Sequence, residues 1–271
     1  MSVTAIPSAA RSNRKPRRPF ASLRTITALI LREMITTYGR SPGGYLWAVL
    51  EPVAGIALLT LIFSAAFRAP ALGTNFPIFY ATGMIPFLMY NDISGKVALS
   101  LLFSKPLLAY PAVTYLDAIA ARFIVNLLTQ LMVAYITLIG ILLIFETRLV
   151  PDYPTIIEGF ALTALLALGI GVMNCFLFTR FPVWQRAWSI LMRPMFIISG
   201  IFFLFDTIPQ PYRDYLWYNP LVHIIGLMRR GFYTSYDASY VSISYLVGLS
   251  LALLLTGLLL LRRFHRDLLN D

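Results

Sequence analysis

Tyr45-Leu-Trp-Ala-Val-Leu-Glu51-Pro52-Val-Ala-Gly-Ile-Ala-Leu-Leu-Thr-Leu-Ile-Phe-Ser-Ala-Ala-Phe67 runs for 23 residues with a single charge. A helix needs roughly 20 mostly apolar residues to cross a hydrocarbon core, so this stretch is expected to span a bilayer. Working outward from it, five more segments meet the same test, at about 77–102, 119–145, 156–178, 187–205 and 240–261. Proline and charge mark the joints between them, at Arg68-Ala-Pro70, Lys105-Pro106, Glu146 to Pro154 and Arg180-Phe-Pro182. Composition agrees: the chain is 58% hydrophobic, 13% charged and has a mean hydropathy of +0.74, against roughly 45–50% apolar residues in soluble domains. The expected fold is therefore an all-α integral membrane protein with six transmembrane helices and no soluble domain or internal repeat.

Outside the spans, residues 1–21 hold Arg11, Arg14, Lys15, Arg17 and Arg18 among Pro and Ser, too polar to bury, and read as a disordered basic tail. Met1 to Pro19 contains no apolar stretch of the kind a cleavable signal needs. In residues 22–42, Leu23, Ile26, Ile30, Met34 and Tyr38 recur at three- and four-residue spacing opposite Thr25, Arg32 and Thr36. That is an amphipathic helix, lying either in the cytoplasmic interface or half-buried on the bundle. Residues 43–264 form the membrane domain and 265–271 a cytoplasmic tail.

Lys and Arg number 22 against 12 Asp and Glu, a net charge of +10. With six spans both termini share a side, and 16 of the 22 cations fall on it, Arg180, Arg186 and Arg193 included. Arg68, Arg148, Arg213, Arg229 and Arg230 fall on the other. Cytoplasmic loops carry the excess of Lys and Arg, so both termini are expected inside. Topology accounts for the basicity, and no nucleic-acid partner is expected. The single Cys175 offers no disulfide and no metal spacing.

Few residues at membrane depth carry chemistry. Glu51-Pro52 places a carboxylate and a helix breaker inside the first span, either as a kink with a paired acid or as part of a translocation path. Asp92 and Lys96 stand four apart in the order that favours a helical ion pair, with Lys96 alternatively reaching the interface or a path. Between the fifth and sixth spans, 206–236 is too apolar for a loop and too broken to span. Asn219-Pro220 supplies a side-chain cap and a first helical residue, predicting a short helix to about Tyr233. With Pro209 and Pro211 before it, the segment reads as a pair of short re-entrant helices on the periplasmic side. Tyr212, Tyr215, Trp217 and Tyr218 suit an interfacial belt or a gate, and His223 in the short helix is a further candidate for the path or gate. Arg213, Arg229 and Arg230 run against the topological bias and are candidates to meet an anionic substrate or lipid phosphates. His223 and His265 make no metal site, and no Gly-x-x-x-x-Gly-Lys-Ser/Thr loop is present to cradle a nucleotide. The chain is expected to bind no cofactor and to be no enzyme.

Gly44-Tyr-Leu-Trp-Ala-Val-Leu-Glu-Pro52, Gly83-Met-Ile-Pro-Phe87, Arg193-Pro194, Ile198-Ser-Gly-Ile-Phe-Phe203, Ile208-Pro209 and Asn219-Pro-Leu-Val-His223 follow one another in order. From about residue 25 onward the chain resembles the permease subunit of type-2 ABC exporters, in particular those of Gram-negative capsular polysaccharide export. The resemblance implies a bacterial inner-membrane homodimer carrying two copies of an ABC ATPase subunit, on which ATP and magnesium act. It implies a lipid-linked, anionic polysaccharide passing between the permeases, a periplasmic co-polymerase and an outer-membrane channel. It also implies ATPase docking through Ser22 to Tyr38 and Phe103 to Tyr115, making Arg32, Glu33, Lys105, Pro106, Tyr110 and Tyr115 coupling candidates, with 206–236 as periplasmic gate helices. Competing readings are a lipid-linked O-antigen exporter, a membrane glycosyltransferase, which needs an acidic metal-binding motif where the loops show only Asp117, and an ion-driven carrier, which would show repeat symmetry.

Overall fold

The computed structural model describes residues 21–38, 43–108, 113–147 and 149–270, and every regular element among them is helical. In chain order these are α1 (Ala21–Tyr38), α2 (Gly44–Ala66), α3 (Phe76–Ala98), α4 (Ser100–Leu108), α5 (Tyr115–Ile144), α6 (Tyr153–Arg180), α7 (Pro182–Ile198), α8 (Tyr212–Leu216), α9 (Pro220–Phe232) and α10 (Ile243–Asn270), with a single 3-10 turn at Phe205–Thr207. Residues 1–20, the greater part of the expected basic tail, lie outside the described residues, as do Tyr110 and Arg148.

Four helices, α2, α5, α6 and the Ile243–Phe264 part of α10, are long and apolar enough to cross a membrane, with mean hydropathy between 2.1 and 2.3. They correspond to the first, third, fourth and sixth expected spans. The other two differ from expectation. The second is divided: α3 stops at Ala98, Leu99 adopts φ −91° and ψ 6°, and α4 restarts at Ser100. The fifth stops at Ile198, because Gly200 takes φ 89°, a left-handed conformation that costs glycine little and ends the helix. Continuous apolar composition hides both breaks. At the other extreme α10 continues through Asn270, so the expected 265–271 tail is largely helical.

The core is built around α3 and α6. From Ile78 to Phe87 every residue of α3 is buried, enclosed by α2, α5, α6 and α9. Further along the same helix stand half-buried Asp92 and Lys96 and exposed Asn91, polar groups that lipid would exclude. On its other side α6 packs along α10 at backbone contact. A Cβ on Gly169 would stand 2.5 Å from the Ser250 carbonyl oxygen, and one on Gly257 would stand 2.8 Å from the Met173 nitrogen. Small residues at such crossings let membrane helices approach closely enough to gain dispersion energy without a hydrophobic drive. The start of α5 is set by a reciprocal cap: the Asp117 amide donates to Thr114 Oγ1 at 3.2 Å and the Thr114 amide donates to Asp117 Oδ2 at 3.0 Å.

Peripheral helices behave differently. No residue of α7 is buried, and α2 buries only Pro52 and Ile56. On α1, which lies along α5, the inward face is centred on Leu29 and Glu33, while Met34, one of the expected apolar stripe, is exposed beside Leu31 and Ile35.

Candidate functional site

Polar groups collect in three places. The first runs along α3, where Asn91 is shared by two cavities, one against α2 and α5 and the other against α6 and α7. Glu51 is exposed on α2 and lines a cavity of about 90 Å³ with Asn91, Asp92 and Gln130, while Pro52 beside it is buried. Asp92 Oδ2 accepts from Lys96 Nζ at 3.0 Å and from Gln130 Nε2 at 2.8 Å, so the pair expected from the four-residue spacing forms and Lys96 is committed to it. Across Asn91 lies a cleft of about 410 Å³ lined by Phe87, Gln185, Trp188, Ser189 and Arg193, among others. Gln185, Ser189 and Arg193 are all exposed and stand four apart, one stripe along α7. Sequence reasoning overlooked this stripe and counted Arg193 as a cytoplasmic flank, whereas it lies in the body of the helix. The four-residue recurrence was the signal available.

A second cluster ties α1, α4 and α5. Arg122 Nε donates to Glu33 Oε1 at 2.9 Å, with both side chains at least nine-tenths buried. The guanidinium carbon of Arg122 stands 4.2 Å from the centre of the Phe103 ring and that of Arg32 stands 5.0 Å from it. Glu33 is thus turned inward and Arg32 is half-buried. Lys105 and Pro106 are exposed on α4, and Tyr115 is half-buried at the start of α5. Tyr110 falls among the residues outside the description.

The third cluster surrounds α8 and α9. Asn219 caps α9, its Oδ1 accepting from the Leu221 amide at 3.1 Å, and Pro220 is the first helical residue, as expected from the dipeptide. The helix ends at Phe232. It is enclosed, packing on α3 and α6 with Leu221 to Arg229 all buried.

Arg229, a candidate to meet an anionic substrate or lipid phosphates, is instead turned inward. It is fully buried, donating from Nη1 to the Phe203 carbonyl at 2.8 Å and from Nη2 to the Ile201 carbonyl at 2.9 Å, with its guanidinium carbon 4.3 Å from the centre of the Phe79 ring. Those carbonyls belong to the turn that follows α7, where no helix satisfies them. A Cβ on Gly83 would stand 3.2 Å from Ile201 Cα and 3.5 Å from Arg229 Nη2. The stretches Gly83 to Phe87 and Ile198 to Phe203 therefore meet at one buried cation, while Asn219 begins the helix that carries it. Burial lowers its pKa to about 10, and it stays charged at neutral pH.

His223 is also internal. Its Nδ1 faces the Ser242 amide at 3.1 Å and must accept from it, which leaves Nε2 protonated and donating to the Trp217 carbonyl at 2.7 Å. Trp217 in turn donates from Nε1 to the Tyr240 carbonyl at 3.1 Å. Both side chains lock the α8–α9 hairpin to the start of α10. Tyr212 is exposed, Arg230 and Arg213 are partly exposed, and Arg213 shares an open cavity of about 490 Å³ with Asp206, Asp214 and Tyr218. Among the described residues, no three His, Cys, Asp or Glu side chains are placed to hold a metal.

Known proteins resemble this chain over nearly its whole length. It is 32% identical over 247 residues to the polysialic acid transport protein KpsM of Escherichia coli, covering 91% of this chain and 96% of that one. It is 29% identical over 245 residues to the capsule polysaccharide export inner-membrane protein BexB of Haemophilus influenzae, and 27% identical over 243 residues to CtrC of Neisseria meningitidis serogroup A, a protein of the same description, covering 90% of this chain and 92% of each. The description of the ABC-2 type transporter family matches residues 24–233, from α1 through the end of α9. An all-helical membrane chain with that match is a multi-pass transporter membrane subunit, and it belongs to the ABC-2 type transporter family.

Proposed function

We propose that this chain is the permease of an ATP-driven exporter that carries a lipid-linked, anionic capsular polysaccharide across a bacterial inner membrane. It works as a homodimer with two copies of an ABC ATPase subunit, which holds ATP and magnesium and performs the hydrolysis. In this reading α3 and α7 join the four strongly apolar helices as spans, both termini are cytoplasmic, α1 lies in the cytoplasmic interface, and the α8–α9 hairpin is re-entrant from the periplasm. A periplasmic co-polymerase and an outer-membrane channel receive the polymer.

The names of the three relatives support the substrate class. The observation that carries the mechanism is the polar strip of Glu51, Asn91, Gln185, Ser189 and Arg193, all of them exposed. Polar side chains at that depth avoid lipid and face protein or water. The helices bearing the strip, α2 and α7, are also the least buried spans. A second copy laid against them encloses a wet path. Along it, amide and hydroxyl groups exchange hydrogen bonds with sugar hydroxyls, Arg193 meets sugar carboxylates or phosphates, and Trp188 offers a stacking face. Each contact is weak alone, as conduction of a long polymer requires.

The test is export by permease–ATPase complexes in which Gln185, Ser189 and Arg193 are replaced together by Leu. The complex should assemble and hydrolyse ATP while polymer export is lost. Wild-type export by the triple variant would overturn the assignment of the strip.

A further inference from the structure

Resting on the permease reading, we propose that the Glu33–Arg122 ion pair, closed over Phe103, is the joint that delivers ATPase-driven movement of α1 and α4 to the membrane bundle. The three residues come from three helices: Glu33 from α1, Phe103 from α4 and Arg122 from α5. Arg122 donates to Glu33 at 2.9 Å while its guanidinium covers one ring, and Arg32 of α1 covers that ring as well, at 5.0 Å. Neither α1 nor α4 can shift without changing a contact to Arg122.

A buried ion pair is a poor device for stability alone, because desolvating both charges offsets most of their attraction and an apolar trio would pack as well. What it supplies is register, since a displaced partner leaves a bare charge. The main-chain carbonyl of Arg122 accepts from Asn126 Nδ2 at 2.6 Å, a contact within α5 itself. Arg122 Nη1 has no hydrogen-bond partner among the described residues, although it is buried. That donor, off the edge that Glu33 now occupies, is open to a second arrangement in which α1 has moved and the carboxylate is still held. From Arg122 the same helix continues to Gln130, which bonds Asp92 on α3. Movement at the joint thus has a rigid element to follow. Outside the joint, Lys105 and Pro106 are exposed on α4 and face away from the bundle.

The experiment uses intact permease–ATPase complexes in proteoliposomes, with labelled polysaccharide from the host strain as the transported probe. Three quantities are read for each variant: complex assembled, ATP hydrolysed per complex, and polymer moved per ATP. Glu33→Gln, Arg122→Gln and Phe103→Leu should each assemble and hydrolyse ATP, with polymer moved per ATP reduced about tenfold. The paired swap of Glu33→Arg with Arg122→Glu should recover most of that ratio. If the variants lose assembled complex but each remaining complex moves polymer at the wild-type ratio, the cluster only holds the fold and the joint is overturned. Phe103→Leu, which leaves both charges in place, keeps that distinction open should a charge variant fail to fold. If the wild-type chain itself neither binds an ABC ATPase nor moves polymer, the permease reading falls first, visibly apart from any variant.

Discussion

Replacing Arg229 by Met should unfold the region around α9 rather than silence a gate. Arg229 makes two hydrogen bonds from a charged donor, at 2.8 and 2.9 Å, to the carbonyls of Phe203 and Ile201. Bonds to charged groups contribute about 1.5–3 kcal/mol each. Methionine fills much of the volume and spares the desolvation of a guanidinium, which returns part of that sum. The two carbonyls then lose their partners in a dry place, and the net cost is about 3–5 kcal/mol. Arg229→Lys keeps the charge but cannot fork to two acceptors, so about 1–3 kcal/mol is expected. Arg230→Met, at a partly exposed site one residue on, should change stability by no more than about 0.5 kcal/mol. Thermal unfolding of the three purified variants in one detergent, followed by loss of monodisperse protein, ranks them. A fully stable Arg229→Met that has lost export would refute the reasoning, because it would place the guanidinium on the substrate and not on the turn.

Acid should weaken the same region through His223. Burial lowers its folded pKa below the ordinary value, so stability is complete above about pH 6.5 and falls as pH drops below it, by about 1.4 kcal/mol per unit down to the folded pKa. His223→Phe should flatten that slope in unfolding curves taken between pH 7.5 and 5.5, and an unchanged slope would exclude His223 as its source. Gly169→Val should separate α6 from α10 at a cost of about 1–3 kcal/mol or more, since the added Cβ meets the Ser250 carbonyl; normal stability would mean that the crossing is loose. Tyr212→Cys in a Cys175→Ser background should react with a membrane-impermeant thiol reagent added to intact spheroplasts, because Tyr212 is exposed on the hairpin read as periplasmic. Labelling only in inside-out vesicles would reverse the topology.

What local chemistry dictates was legible in the residues. The apolar runs that became α2, α5, α6 and α10 are recognised by length alone, because lipid allows no other composition. The Asn219-Pro220 helix start and the Asp92–Lys96 pair also followed, each depending on atoms within one turn of helix. Breaks at Leu99 and Gly200 were hidden because composition stays apolar through both, and hydropathy averages over a window longer than a turn. Whether a polar residue faces inward, a partner or water depends on contacts made far along the chain. Glu33 meets Arg122 across 89 residues, and Arg229 reaches carbonyls 26 and 28 residues before it. The charge of Arg229 read as a contact for substrate or lipid phosphates, and its burial made it a clamp. Gln185 and Ser189 drew no notice in sequence, and Arg193 was counted only as a topological cation and in the Arg193-Pro194 stretch, because the stripe exists only when the three are read together. They matter because α7 packs so lightly that nothing among the described residues covers their stripe, and a polar stripe at membrane depth needs water or a second subunit against it.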